Sequence, residues 1–350
     1  GGVDLSKKPI WIEGPHIFNH KDYYYLLCAE GGTGVEHSEV IFRSKNIWGP
    51  YEVFEGNPIM TQRDMPADRP NPATCTGHAD FVQTPNGDWV SVYLACQPYE
   101  GEFFNTGRQT FIQEVDWKGE WPLIVKKGEA VPYDVSLPLK AENGAESFRA
   151  YSANWEDNFD APELKYDWNF IRTPKEKWYN IQNGSLTINA RTTSIDEVGN
   201  PSFIGRRLQH KKAKFSTSVS LHMGNAKRNI KEMEAGIVAF QNEEFFYKMV
   251  VEEVNKKYHL IVASANEEFA RTELSTFKPG QKINLKMQML ENEFICAYSF
   301  DEKNWKEIGG VLDGKHLSTK VAGGYIGAYF GLYAYAKSPA KAIFSWAKYS

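Results

Sequence analysis

Short apolar runs, broken every few positions by turn-forming residues, follow one another along almost the whole chain. Residues 23–29 (YYYLLCA), 38–43 (SEVIFR), 89–96 (WVSVYLAC) and 109–116 (QTFIQEVD) are short and rich in aromatic and β-branched side chains, so the pattern predicts strands. Pro85-Asn86-Gly87-Asp88, set between two apolar runs, predicts a hairpin turn. A second series covers 185–190, 215–221, 235–240, 245–251, 258–263 and 283–288. Many of its positions alternate apolar with polar, as in strands buried on one face. Asn183-Gly184 and Pro279-Gly280 mark turns within that series. Few helical patterns of useful length are present, and the fold class is all-β.

The first series contains an internal echo. Residues 14–27 (GPHIFNHKDYYYLL) and 77–94 (GHADFVQTPNGDWVSVYL) each place a glycine and a histidine before an apolar strand, a turn and an aromatic-rich strand. A spacing of about 65 residues suits β-propeller blades with long loops. A closed propeller needs at least about four blades, and residues 1–140 supply at most about three, so the expectation is the C-terminal part of a propeller without its first blades. Pro138, AENGAES and the acidic WEDNFD then read as a linker, 141–157, before a two-sheet sandwich of jelly-roll type over 158–350.

The length, 350 residues, accommodates two domains of ordinary size. A net charge of −4 gives no basic excess for nucleic acid or an anionic membrane, and no apolar run is long enough to span a bilayer. Four cysteines (Cys28, Cys75, Cys96, Cys296) form no CxxC pair or metal-like cluster. Cys28 and Cys96 sit inside apolar runs, as buried free thiols do. No cofactor or metal motif is present; Asp157 and Asp160 in EDNFD are read as solvated rather than as calcium ligands. Aromatic residues make up 14% of the chain, which suits both an all-β core and stacking on sugar rings.

Three residues stand where chemistry could be done. Glu13 precedes Gly14-Pro15, a constrained turn that fixes the direction of the acid. His78 follows Thr76-Gly77 at a strand start equivalent to Glu13 in the echo, and Arg108 lies just before another strand. Read singly, each fits a structural or surface role better than a functional one.

Together these segments resemble a known family. Trp11-Ile12-Glu13-Gly14-Pro15-His16-Ile17-Phe18, Ala29-Glu30-Gly31-Gly32-Thr33, Gly77-His78-Ala79-Asp80 and Gly107-Arg108-Gln109-Thr110 are similar, in order, to glycoside hydrolase family 43, in its β-xylosidase and α-L-arabinofuranosidase branch. Asp167-Trp168-Asn169-Phe170-Ile171-Arg172-Thr173-Pro174, Pro201-Ser202-Phe203-Ile204-Gly205-Arg206-Arg207 and Ala322-Gly323-Gly324-Tyr325-Ile326-Gly327 resemble that family's C-terminal concanavalin-like sandwich. The resemblance implies a five-bladed propeller, an inverting mechanism with Glu13 as general acid, and substrate contacts from His78 and Arg108. It also implies a sandwich loop that brings an aromatic to the sugar, for which Tyr325 and Tyr329 are candidates. The expected substrates are xylo-oligosaccharides or arabinoxylan fragments.

The family's general base and a third, pKa-tuning aspartate precede the acid. Asp4 and Asp80 do not match either motif, so the base is expected from a missing N-terminal segment or a second polypeptide. A homo-oligomer is compatible with this reading. The alternatives are a non-catalytic carbohydrate-binding chain and a sandwich that serves only as a structural wall, with 201–207 and 323–331 as packing motifs.

Overall fold

The computed structural model describes residues 11–117, 119–137, 154–224 and 232–350. The chain divides into two compact units. The first is built from residues up to Glu102 and from Gly107–Phe148, the second from Phe103–Thr106 and Arg149–Ser350. Asp4, and residues 141–153 of the expected linker, lie outside the described residues.

The first unit holds two antiparallel sheets. One orders β1 (Glu13–His20), β2 (Tyr23–Glu30), β3 (Ser38–Ser44) and β4 (Glu52–Val53), with β5 (Met60–Thr61) also paired to β3. The other is the meander β6 (Thr74–Gln83), β7 (Trp89–Cys96) and β8 (Gln109–Glu114). The expected turn joins β6 to β7: Thr84 N–H donates to Asp88 O at 2.7 Å, and Gly87 supplies the positive φ of 91°.

The sequence echo has a structural counterpart. β1 and β6 each pair antiparallel with the aromatic-rich strand that follows, and both are bulged near their glycines. Phe18, Tyr25, Trp89 and Trp117 pack ring against ring beneath them, so much of the aromatic content of this unit is core.

The second unit is a β-sandwich. Its seven-stranded sheet runs β10 (Asn169–Phe170), β13 (Ser202–Arg207), β22 (Tyr329–Ala336), β15 (Glu232–Phe240), β16 (Phe246–Val254), β17 (Lys257–Ala263) and β18 (Glu268–Glu273). The eight-stranded sheet runs β11 (Tyr179–Ile181), β12 (Leu186–Asn189), β23 (Ala340–Tyr349), β14 (Lys212–Met223), β19 (Ile283–Leu290), β20 (Glu293–Ser299) and β21 (Lys306–Asp313), with β9 (Trp155–Asp157) paired to β23. The only described helical pieces are a 3₁₀ turn at Gly314–Leu317 and the single-turn helix Thr319–Ala322.

Burial departs from the simple alternation expected. Along β15, Met233, Ala235, Ile237 and Ala239 enter the core shared by the two sheets. Val238 and Phe240 enter a second cluster on the other face, with Phe203, Phe246, Val250, Ile261 and Tyr333. A sheet covered on both faces needs apolar residues at successive positions, which is why β15 reads as a continuous apolar run. Asp157 is buried, but its oxygens are already used: Phe159 N–H and Trp168 Nε1–H each donate to it at 3.0 Å. Among the described residues no cluster of three or more His, Cys, Asp or Glu side chains could hold a metal, and no helix is long and apolar enough to cross a membrane.

Candidate active site

Glu13 opens β1, opposite Ala29 of β2, and the register shifts between Glu13 and His16. Gly14 makes that bulge possible with φ of 57°. It has a second job. A Cβ placed on Gly14 would lie 2.4 Å from His78 Nε2, so the imidazole of His78 rests directly on the backbone beside Glu13.

His78 lies inside β6 rather than at its start, in the second of two bulges, with φ of 55°. Cys75, three residues earlier, also has positive φ, at 56°. A non-glycine residue in this region is strained and persists only where its surroundings hold it. Two side chains from around the start of β3 supply the hold. His37 is wholly buried and its Nδ1–H donates to Cys75 O at 2.9 Å. Glu39 is also wholly buried; its Oε2 accepts from Ala79 N–H at 2.9 Å, and the backbone N–H of His78 reaches the same carboxyl. Gly77 leaves room for the His37 ring, since a Cβ there would sit 2.7 Å from His37 Cε1.

The electrostatics follow from this burial. Burial pushes Glu39 well above the ordinary carboxyl range, the two backbone N–H groups oppose it, and Asp80 adds to it. Burial thus favours the protonated form of Glu39, against the two backbone N–H groups. Burial lowers the pKa of His37, the Cys75 carbonyl opposes, and the charges of His78, Glu13 and Arg108 all act on its ring. The three sequence candidates therefore lie within electrostatic range of this one imidazole. With Nδ1 as donor, Nε2 of neutral His37 is a bare acceptor, without a hydrogen-bond partner among the described residues.

Glu13, His78 and Arg108 are all exposed, and Arg108 stands one residue before β8. The His78 imidazole and the Glu13 carboxyl are thus neighbours on the backbone, with the buried His37 within electrostatic range of both and of Arg108. Asp80 is exposed and faces His16, with Oδ1 3.3 Å from Nδ1. Trp11 was not singled out from the sequence. It is 71% exposed, and its ring covers Gly32, where a Cβ would meet Trp11 Cε3 at 2.6 Å. Tyr325 belongs to the second unit, on the loop before β22, and is 60% exposed.

Comparisons with known proteins identify the family of the chain. Residues 156–350, over half the chain, match the beta xylosidase C-terminal concanavalin A-like domain, and residues 2–122 match the glycosyl hydrolases family 43 domain. The chain belongs to glycoside hydrolase family 43. Among this family's characterised members, it is 31% identical to the non-reducing end alpha-L-arabinofuranosidase BoGH43B of Bacteroides ovatus, over 95% of this chain and 61% of that protein. It is also 31% identical to a xylosidase/arabinosidase of Butyrivibrio fibrisolvens, over 94% of this chain and 62% of the relative. The chain thus spans about three fifths of the length of these relatives.

A solved family 43 structure, GH43B of Bacteroides ovatus, superposes with a TM-score of 0.83 at 29% identity, covering 97% of this chain and 66% of that one. A xylan beta-1,4-xylosidase of Bacillus halodurans gives 0.83 at 25% identity, covering 97% and 65%. The propeller-plus-sandwich class inferred from the strand pattern is the class of these relatives.

Proposed function

We propose that this family 43 chain is part of an exo-acting glycosidase that releases xylose or arabinose from the non-reducing ends of xylan-derived oligosaccharides with inversion. Glu13 is the general acid and protonates the bridging oxygen as the bond breaks. A carboxylate base from outside the segments described above activates water on the opposite face of the sugar, roughly 6.5–9.5 Å from the acid. His78 and Arg108 bind sugar hydroxyls, Arg108 through its planar fork of donors. Trp11 offers an aromatic face to the ring.

The observation that carries this reading is the His78 ring seated on Gly14, beside Glu13, with Arg108 within electrostatic range of the buried His37. The relatives' xylosidase and arabinofuranosidase activities support the substrate class.

The test is proton NMR of sugar released from xylobiose and from an arabinofuranosyl oligosaccharide by the native full-length protein. The first-formed anomer should be inverted. Arg108→Lys should raise KM more than it lowers kcat for whichever sugar is the substrate. Retention of configuration, or no release from either class, removes the proposal.

A further inference from the structure

Cys75 of β6 and Cys96 of β7 lie on neighbouring strands of one sheet in the first unit. Thr74 pairs with Cys96 and Gly77 with Leu94, so Cys75 and Thr76 together oppose the single residue Ala95. In a regular ladder Cys75 would point to the opposite face from Thr74 and Cys96. The bulge, with Cys75 left-handed at φ of 56°, breaks that alternation, and the two thiols meet in a hydrogen bond. We propose that Cys75 and Cys96 are a paired oxidation site, which hydrogen peroxide closes to an intrachain disulfide across β6 and β7.

The pair is asymmetric. Cys96 S–H donates to the Cys75 sulfur, which favours loss of the proton from Cys75 over Cys96. Thr74 Oγ1 lies 3.7 Å from the same sulfur. Cys75 keeps 6% of its surface exposed, and Cys96 keeps none. Cys75 is therefore the sulfur that attacks. Its thiolate takes one peroxide oxygen as hydroxyl, the O–O bond breaks, and the other oxygen leaves as hydroxide, which takes up the proton released by Cys75. Cys96 then attacks the sulfenic sulfur of Cys75; the S–O bond breaks, and the hydroxyl leaves with the Cys96 proton as water. Two thiols and one hydrogen peroxide thus give one disulfide and two waters, the sulfurs losing the two electrons that the peroxide gains.

The other two cysteines differ. The thiols of Cys28 and Cys296 are held up by burial, not by a second cysteine. Hydrogen peroxide is little larger than water, which suits a buried pair closed to bulkier reagents. The bridge ties the strand that carries His78 to its neighbour, three residues before that histidine. Cys75 O also accepts from His37 Nδ1–H at 2.9 Å, so the disulfide and His37 hold the same bulged residue.

The test is treatment of the native full chain with millimolar hydrogen peroxide, removal of the excess with catalase, denaturation in acid, and peptic mapping by mass spectrometry without reductant. The chain should lose two hydrogens in mass and yield the peptide of Cys75 joined to that of Cys96, and dithiothreitol should separate them. Cys28 and Cys296 should still alkylate fully after denaturation. Hydrogen exchange over residues 74–83 should slow once the bridge has formed. Glu13→Gln should form the same bridge, which separates this site from the hydrolytic proposal. Four free thiols after treatment, a disulfide between any other pair, oxygen added to Cys75 with Cys96 left as a thiol, or exchange that does not slow when the bridge forms overturns the inference.

Discussion

Replacing Glu39 by glutamine perturbs the base of the candidate site without removing its shape. Above pH 4.5, the ordinary glutamate value, an unfolded Glu39 has lost its proton while the buried one keeps it. The folded state then binds more protons, so this residue's contribution to stability falls as pH rises, by about 1.4 kcal/mol per pH unit, until the folded group itself ionises. Glutamine does not titrate. At pH 5 the variant should be the less stable by about 1–3 kcal/mol, because its NH₂ places an extra unpartnered donor where Oε1 has no partner.

As pH rises above 4.5 that gap should narrow, for as long as the folded Glu39 keeps its proton. Glu39→Ala instead strands the N–H groups of His78 and Ala79, a loss of about 2–6 kcal/mol at any pH. The assay is hydrogen exchange of the peptide over residues 74–83 in the full chain, corrected for intrinsic rates. Parallel pH dependence in wild type and Glu39→Gln would refute the claim that Glu39 is buried as a neutral acid clamping the His78 bulge.

Three other outcomes are expected. Gly14→Ala would place a methyl 2.4 Å from His78 Nε2 at a φ of 57°; stability should fall by about 1–2 kcal/mol from the backbone alone, and the His78 imidazole NMR signals should shift. Tyr333→Phe removes a buried hydroxyl that donates to Glu234 at 3.0 Å and accepts from Ile195 N–H at 3.2 Å, and should destabilise the sandwich by about 1–3 kcal/mol in urea unfolding. The four cysteines should resist thiol reagents at pH 8 until the protein is denatured. All are buried; burial pushes Cys28 up to about 11 and Cys296 up to about 12, while the Cys96 thiol is held up and Cys75 down by the hydrogen bond between them. Rapid labelling of the native protein would contradict this packing.

What the sequence showed followed from local physics. PNGD made a hairpin because its glycine takes the left-handed conformation, and Asn183-Gly184 did the same, both with positive φ. The long strands β14 to β17 were legible because their apolar runs are long; β4, β5, β10 and β11, of two or three residues, carry too little pattern to see. The Gly14 and Gly77 echo pointed to the two bulged strands, but not to why glycine is needed there, namely that an imidazole from elsewhere in the chain occupies the Cβ position.

His37 and Glu39 were missed because nothing local separates a buried polar pair from a half-exposed strand. The one available signal was a histidine and a glutamate two residues apart at the head of the apolar run VIF, a spacing that puts both on one face. The exposure of Glu13 was equally illegible, since it depends on what else surrounds the pocket.

In the proposed reaction Glu13 gives a proton to the departing oxygen. The most direct measurement compares wild type and Glu13→Gln of the native full-length protein on two substrates: a disaccharide, whose leaving group needs that proton, and the 2,4-dinitrophenyl glycoside of the same sugar, whose leaving group does not. The account predicts a loss of about 10²–10⁴-fold on the disaccharide and a much smaller loss on the aryl glycoside. Equal losses on both, or none on either, would contradict it.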